Sequence, residues 1–201
     1  SLDGRTGLKN GKSKWISNES SRSLVHSLRK DFDAIVIGGN TLRLDDPFLT
    51  SRGKKDPEPL RVVFTKSLNL PDKRNLWDCN KAKTLIVYDS STANEKYLSR
   101  FPKDVEIAKV PSDNPVFLSK LLAQRGINKL LWECGPNLAT SAFKNGCIQE
   151  TFTFISPKII GGINSMTPFS DFNFEEMHEV YISKGSEFRI INGDIYIKNS
   201  F

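Results

Sequence analysis

Histidine and cysteine are both scarce in this chain of 201 residues. The only histidines are His26 and His178, so a Ser-His-Asp triad or a multi-histidine metal site has little to draw on. The cysteines are odd in number and form no CxxC pair: Cys79, Cys134 and Cys147. This pattern argues against a disulfide framework or a zinc site and favours reduced thiols in a cytosol-like compartment. We therefore expect no metal and a cytoplasmic location.

Long apolar runs are also absent. No run approaches the roughly 18 residues that a membrane helix needs, and no signal peptide is visible, although the first residues look clipped. The formal net charge is +6, but Lys and Arg are spread along the chain. Their densest cluster, Arg52 to Lys55, is short and lacks interleaved aromatic residues. The composition therefore argues against membrane and nucleic-acid partners, and its basic charge suits a phosphorylated small molecule.

Short apolar runs alternate with helical patterns along the chain, without repeats or an obvious linker. This order predicts one α/β domain over residues 1–201, with a mostly parallel sheet. The polar stretch Asn69–Lys83 is predicted to be an excursion within that domain. The predicted helices are Asn18–Lys30, Pro115–Arg125 and Pro136–Asn145. The predicted strands are Asp33–Ile37, Leu60–Thr65, Thr84–Tyr88, Val105–Lys109, Lys129–Glu133, Thr151–Ile155, Glu179–Ser183, Glu187–Ile191 and Asp194–Lys198.

Two turn signals sharpen this assignment. Asn114 followed by Pro115 is typical of a helix start, and Gly126 follows the end of that helix. Asn192-Gly193 lies between two runs of alternating polarity, which predicts a hairpin because a type I′ turn needs positive φ at both central residues. The parallel body is therefore expected to become antiparallel at its C-terminus.

Three polar clusters lie at predicted strand or helix ends. The first, GKSKWIS, precedes the first helix; Ser17 or Asn18 could cap that helix and Trp15 could belong to the core, which leaves Ser13 unexplained. The second, GGNTLRLDDPFLTSR, leaves a buried strand and places Asp45 beside Asp46 in a predicted loop. Adjacent carboxylates repel, so this loop is either ordinary turn chemistry or a binding site.

The third cluster is LLWECGPNLATS, in which a strand ends at Glu133 and Gly135-Pro136 opens a helix. Unpaired N–H groups and the helix dipole at such a start favour a diphosphate, although many strand–glycine–helix turns bind nothing. It is not the three-glycine dinucleotide fingerprint. Gly161-Gly162, after SPKII, is either a tight turn or a place where a ligand approaches the backbone.

These motifs occur in a characteristic order: SLDGR, GKSKWIS, Arg29 in HSLRK, GGNTLRLDDPFLTSR, WECGPNLA and SPKIIGG. Together they resemble the reductase domain of the bacterial and plant riboflavin-biosynthesis protein, which is usually joined to a pyrimidine deaminase. The resemblance covers nearly the whole chain. It implies a fold like that of dihydrofolate reductase, with a mixed, mostly parallel sheet flanked by helices and an antiparallel C-terminal hairpin. It also implies a homodimer, and a plastid location if the source is a plant.

The resemblance further implies NADPH-dependent reduction of 5-amino-6-(5-phosphoribosylamino)uracil at C1′ of its ring-opened ribosyl group. By matching position, the substrate contacts would be Ser13, Arg29, Leu49, Arg52 and Glu133. The cofactor contacts would be Trp15, Thr41, Asp45, Gly135, Pro136, Asn137, Leu138, Ala139, Thr140 and Ser141. Gly38 and Gly39 would let the backbone approach the cofactor. Asp45 and Glu133 are the candidate catalytic acids, and the residue types do not choose between them.

The sequence departs from the family pattern in three places. The family has a strand before SLDG that carries a substrate-facing lysine, and that strand is missing before Ser1. Thr65-Lys66 replaces an Asp-Ser-like pair, which makes Lys66 a weaker candidate for a cofactor contact. No HxE or PCxxC deaminase motif is present, so the deaminase half is either elsewhere or lacking. Two alternatives stay open: a related enzyme acting on another pterin or pyrimidine, and a non-catalytic domain that supports a fused deaminase.

Overall fold

The computed structural model describes residues 1–201, which form eight strands and four α-helices. The helices are Glu19–Leu28 (α1), Gly39–Asp45 (α2), Pro115–Gln124 (α3) and Pro136–Lys144 (α4). The first five strands are Ala34–Gly38 (β1), Leu60–Thr65 (β2), Thr84–Asp89 (β3), Glu106–Val110 (β4) and Leu130–Trp132 (β5). The last three are Glu150–Ile155 (β6), Gly185–Ile191 (β7) and Asp194–Ser200 (β8). Short 3₁₀-helices cover Arg29–Asp31, Asn75–Trp77, Glu95–Arg100 and Met177–Glu179.

The chain divides into two compact units. The central unit is His26–Leu138, and the terminal unit joins Ser1–Val25 to Ala139–Phe201. The prediction of one reductase domain over residues 1–201 stays a prediction. None of the helices combines the length and the apolar character that crossing a bilayer requires.

The central unit is built on a five-stranded parallel sheet with the order β4-β3-β2-β1-β5. The three central strands, β1, β2 and β3, are buried at almost every position because both faces of the sheet are covered there. Ile35, Ile37 and Val63 belong to one core cluster, whereas Val36 and Val62 belong to the other. The polar excursion Asn69–Lys83 belongs to this unit, as predicted, and supplies buried Leu76 and Trp77 to the first cluster.

The terminal unit contains an antiparallel sheet with the order β6-β8-β7. The predicted hairpin is confirmed, since Asn192 and Gly193 have φ angles of 48° and 91° between the paired ends of β7 and β8. Asp194, just after the turn, accepts hydrogen bonds from the Ser21 hydroxyl (2.7 Å) and the Asn18 N–H (2.8 Å). The turn is thereby fixed to the start of α1.

The sequence predicted most elements, including both bounds of β2 and the cap of α3, where Asn114 accepts from the Val116 N–H. Asn18 is the residue that caps α1, because its side-chain oxygen accepts the Ser21 N–H (2.9 Å). The mixed α/β class with a parallel sheet, flanking helices and an antiparallel C-terminal hairpin is confirmed. The hairpin, however, lies in a separate three-stranded sheet.

Two element predictions are wrong. The predicted strand Glu179–Ser183 does not form; Met177–Glu179 is a 3₁₀-helix and irregular chain follows. This segment alternates apolar and polar residues but has no neighbouring strand to pair with. Its Tyr181 ring packs edge-on against Phe143 instead, with the two ring centres 4.6 Å apart. The stretch after β1 was predicted to be a loop, but it begins with helix α2. Two glycines open this stretch, and because glycine is a poor helix former, the sequence did not indicate a helix there.

Candidate active site

The ends of β1 and β5 lie side by side in the central unit. The two strands are parallel neighbours, with Val36 opposite Trp132, and the Glu133 N–H continues the ladder by donating to the Val36 carbonyl (2.9 Å). The connection after β1 leads to β2 on one side, while β5 lies on the other side. Such a reversal of strand order at the carboxyl ends is where open α/β sheets bind ligands.

The turns that follow these two strands approach each other closely. A Cβ built on Gly38 would lie 3.6 Å from Leu138 Cδ2, and one on Gly135 would lie 3.8 Å from Thr41 Oγ1. The structure therefore brings together four positions that the sequence assigned to the cofactor region. Gly39 has a different explanation: its Cβ would lie 2.9 Å from Thr65 Oγ1, so a glycine is needed for α2 to pack on β2.

The two adjacent acids after α2 have separate roles. Asp46 adopts a left-handed conformation (φ 43°), and its carboxylate accepts the Asn75 N–H (2.8 Å) and side-chain amide (3.1 Å). Arg74 donates to the Leu42 carbonyl at the end of α2 (3.2 Å). Asp45 is exposed and makes no hydrogen bond or ion pair within the chain. Asp46 therefore has a structural role, and only Asp45 is available to a ligand.

Arg29 and Glu133 form a bidentate ion pair. Arg29 Nε lies 2.7 Å from Glu133 Oε1, and Nη2 lies 2.7 Å from Oε2. The two side chains are 9% and 22% exposed. Arg29 Nη1 also donates to the Thr50 carbonyl (3.0 Å) and lies 3.1 Å from His26 Nδ1, which must accept because a guanidinium only donates. Arg29, predicted to contact substrate, thus directs most of its donors to the protein.

Arg52 contrasts with Arg29. It is exposed, and its side chain makes no hydrogen bond or ion pair within the chain. Its backbone has φ 58°, and Leu49 earlier in the same loop has φ 51°. The Leu49 side chain is 1% exposed and belongs to the core. Of these two predicted substrate contacts, only Arg52 presents its side chain to solvent.

Lys66 follows β2 and is paired with Asp113, which follows β4. The Lys66 Nζ–Asp113 Oδ2 distance is 2.8 Å. Its hydrogen bond to Asp113 raises the pKa of Lys66, and the charge of that carboxylate adds to the effect. Cys134, between Glu133 and Gly135, is partly buried, and burial raises its thiol pKa to about 12. This thiol is therefore not a nucleophile at neutral pH.

Of the remaining predicted residues, Pro136 and exposed Asn137 begin α4 within the central unit, and the others belong to the terminal unit. Trp15, which could have been core, is 63% exposed, with the Arg22 guanidinium 4.2 Å from its ring centre. Ser13 is half-buried, as are Ala139 and Ser141. The Thr140 hydroxyl is buried and accepts the Ser170 N–H (2.8 Å), so that side chain holds α4 to the following segment.

The terminal unit also explains the Gly161-Gly162 turn. The Asp3 carboxylate, from the SLDGR motif, accepts the N–H groups of Gly161 (2.6 Å) and Ile160 (3.2 Å). A hydrogen bond from Ser1 and those from the turn lower the pKa of Asp3 to about 2. Both glycines have positive φ, so the tight-turn interpretation is sufficient for this motif.

Sequence reasoning missed two charged residues that hold the irregular segments before and after β2. Arg61, on β2, is fully buried and donates to the carbonyls of Leu76 (2.9 Å) and Ala82 (2.6 Å). Glu58 accepts N–H groups from the loop that contains Arg52. Neither position carried a local signal, because a charged residue at a strand start is ordinarily expected to be solvated.

Comparisons with known proteins agree on one family. The family model described as RibD C-terminal domain matches residues 1–188. The riboflavin biosynthesis protein RibD of Synechocystis sp. is 40% identical over 177 residues, covering 88% of this chain and 48% of that protein. The chloroplastic riboflavin biosynthesis protein PYRR of Arabidopsis thaliana is 39% identical over 176 residues, covering 88% of this chain and 29% of that protein. The chain thus spans about half of the bacterial relative and under a third of the plant one.

Solved structures share the fold. A deaminase/5-amino-6-(5-phosphoribosylamino)uracil reductase from Thermotoga maritima aligns with a TM-score of 0.84 at 24% identity, over 99% of this chain and 53% of that one. A pyrimidine reductase-like protein from Corynebacterium diphtheriae aligns with a TM-score of 0.78 at 20% identity, over 100% of this chain and 88% of that one.

Proposed function

This chain belongs to the RibD C-terminal domain family, and we propose that it reduces 5-amino-6-(5-phosphoribosylamino)uracil with NADPH, giving the ribitylamino product. The observation that carries the proposal is the meeting of two turns at the carboxyl ends of β1 and β5. There Thr41 faces Gly135, and Glu133, at the end of β5, is held in an ion pair. A longer natural chain with a fused deaminase is part of the same proposal, because the chain spans only 48% of its Synechocystis relative.

The chain's own residues suit a dinucleotide at this edge. Gly135 leaves room for close approach of a ligand to the backbone, and Pro136 begins α4, whose first N–H groups and dipole favour a diphosphate. Thr41 and Asp45 would contact the nicotinamide end of the cofactor, and Lys66 would contact the phosphate at its opposite end. Asn137 and Leu138, which follow Pro136 in the central unit, complete the proposed cofactor contacts there, and the contacts predicted for Trp15, Ala139, Thr140 and Ser141 of the terminal unit stay predictions. When bound, NADPH supplies the hydride.

On the substrate side, Arg52 would bind the phosphate, because a guanidinium offers paired donors and keeps its charge. The backbone of Leu49 would add a further contact, and the contact predicted for Ser13 of the terminal unit stays a prediction. Arg29 would act mainly through Glu133, whose two oxygens both accept from it. Glu133 would therefore orient the substrate hydroxyls, whereas Asp45, with no partner in the chain, is the better candidate for moving a proton.

The experiment that tests the function is an NADPH-oxidation assay with 5-amino-6-(5-phosphoribosylamino)uracil. We expect oxidation that depends on the substrate, and a lower rate with NADH. The melting temperature should rise more with NADPH than with NADH at equal concentration, because the better ligand stabilises the folded state more. A larger shift with NADH would refute the cofactor assignment, and a shift with NADPH but no oxidation would favour a non-catalytic binding domain.

We also propose that the chain forms a homodimer through the β6-β8-β7 sheet. Phe188 and Ile190 on edge strand β7 lie opposite Ile197 and Ile195 on β8. In the single chain Phe188 is 71% exposed and Ile190 is 80% exposed. An unblocked edge strand with such a face favours pairing with a second copy.

One chain has a mass of 22.6 kDa, and light scattering at micromolar concentration should give twice that mass. Ile190→Lys should shift that mass towards a single chain, because it places a charge within the apolar face. Glu187→Lys adds a positive charge on the opposite face of the same strand and should leave the dimer intact. A wild-type mass of 22.6 kDa would refute the proposal.

A further inference from the structure

The backbone around Arg52 has an unusual conformation. We call residues 48–55 the arginine loop. Three of its residues have positive φ: Leu49 (51°), Arg52 (58°) and Gly53 (76°). The left-handed region is disfavoured for residues that carry a Cβ. Bonds from elsewhere are therefore needed to hold the loop in this shape.

Glu58 supplies two of these bonds, one on each side of Arg52. Its Oε2 accepts the Ser51 N–H (2.5 Å), and its Oε1 accepts the Gly53 N–H (2.9 Å). One carboxylate thus fixes the Arg52–Gly53 peptide group and the Thr50–Ser51 peptide group, which lies one residue before Arg52. Because the backbone is held on both sides of Arg52, the direction of its Cα–Cβ bond is restricted, and Glu58 thereby limits where the Arg52 guanidinium can reach.

The rest of the arginine loop is held as well. The buried Ser51 hydroxyl accepts the N–H groups of Lys54 (3.1 Å) and Lys55 (3.0 Å). Lys55 Nζ donates to the Phe32 carbonyl (2.6 Å), and Arg29 donates to the Thr50 carbonyl (3.0 Å). The Arg52 side chain alone has no such bond. A fixed backbone that carries a free charged side chain is the arrangement expected of a preorganised binding residue.

We infer that Glu58 is a positioning residue for Arg52, placing its guanidinium for the substrate phosphate; this rests on the proposed function of Arg52. The pairing needs an ionised carboxylate, because both oxygens accept. Burial raises the pKa of Glu58, but the N–H groups of Ser51 and Gly53, the Ser51 side chain and the charge of Arg29 outweigh it, so the pKa is lowered. Glutamine at this position would keep the size but direct an NH₂ donor at an N–H group.

Limited proteolysis tests the loop without any substrate. Trypsin cleaves after Arg52 only when the local backbone opens. We expect Glu58→Ala to raise the rate of cleavage after Arg52 about tenfold or more, because it removes two charge-assisted bonds, and Glu58→Gln to give an intermediate rise. The matched control is Glu106→Ala, which removes a carboxylate from an exposed ion pair with Arg125. It should leave the rate of cleavage after Arg52 unchanged. An unchanged rate, or an equal rise at all sites, would overturn the inference.

Kinetics test the link to Arg52. Glu58→Ala should raise the KM for 5-amino-6-(5-phosphoribosylamino)uracil about tenfold, with the KM for NADPH unchanged. Added to Arg52→Ala, it should give no further rise, because a residue that acts through Arg52 has no effect once Arg52 is gone. Full additivity would overturn the inference. If the wild-type protein oxidises no NADPH, the proposed function fails, and the trypsin comparison then decides the inference alone.

Discussion

Arg29→Ala is expected to lower both the melting temperature and the catalytic efficiency strongly. It would leave the Glu133 carboxylate, 22% exposed, without its bidentate partner. Breaking a buried pair costs about 3–5 kcal/mol, and the lower value applies here because Glu133 is partly exposed. With about 2–4 °C of melting temperature per kcal/mol in a chain of this size, the melting temperature should fall by about 6–12 °C.

The same substitution should also reduce catalytic activity strongly. Arg29 holds Glu133 on one side and the Thr50 carbonyl on the other, so its loss disturbs both the acid and the loop that carries Arg52. Misplacement of a ligand-holding group by about 1 Å can cost about 100-fold in rate. We therefore expect kcat/KM to decrease by about 100-fold or more, measured at a temperature where the variant is still folded.

The matched control is Arg125→Ala. Arg125 pairs with Glu106 at the same 2.7 Å distance, but the two side chains are 37% and 52% exposed. An exposed pair of this kind contributes about 0–1 kcal/mol, so the melting temperature should change by no more than about 4 °C. Equal effects of the two substitutions would contradict the view that burial makes the Arg29–Glu133 pair important.

Arg52→Ala is expected to weaken substrate binding and little else. A charge-assisted hydrogen bond to phosphate contributes about 1.5–3 kcal/mol, so the KM for the phosphorylated pyrimidine should rise about tenfold or more. The melting temperature should not move, because the Arg52 side chain has no partner within the chain. Arginine and alanine both carry a Cβ, so the positive φ at this position penalises them alike.

Arg52→Lys separates charge from geometry. Lysine keeps the positive charge but cannot form the paired contact that a guanidinium makes with two phosphate oxygens. Its KM should therefore lie between those of the wild-type protein and Arg52→Ala. A raised KM for NADPH with an unchanged KM for substrate would assign Arg52 to the cofactor instead.

Local pattern determined much of this fold. The run Leu60–Thr65 matches β2 at both ends, because a strand buried on both faces is apolar at most positions; buried Arg61 is an exception. Asn192-Gly193 specified its turn, since few residues adopt positive φ without strain. The ordered motifs also identified the family, which the match over residues 1–188 confirms. The failed strand Glu179–Ser183 shows the limit: alternation predicts a strand only where another strand is available to pair.

The partners of the polar side chains were decided by the tertiary structure. The sequence named both Arg29 and Glu133, but they are 104 positions apart, and only packing placed one against the other. The sequence does not distinguish Asp45 from Asp46, yet in the structure Asn75 binds Asp46 and leaves Asp45 without a partner. Glu58 carried no local signal, because its two hydrogen bonds depend on the positive φ angles of a loop. Periodicity fixes which side of an element is buried, whereas the choice of a hydrogen-bond partner depends on distances that only the folded chain sets.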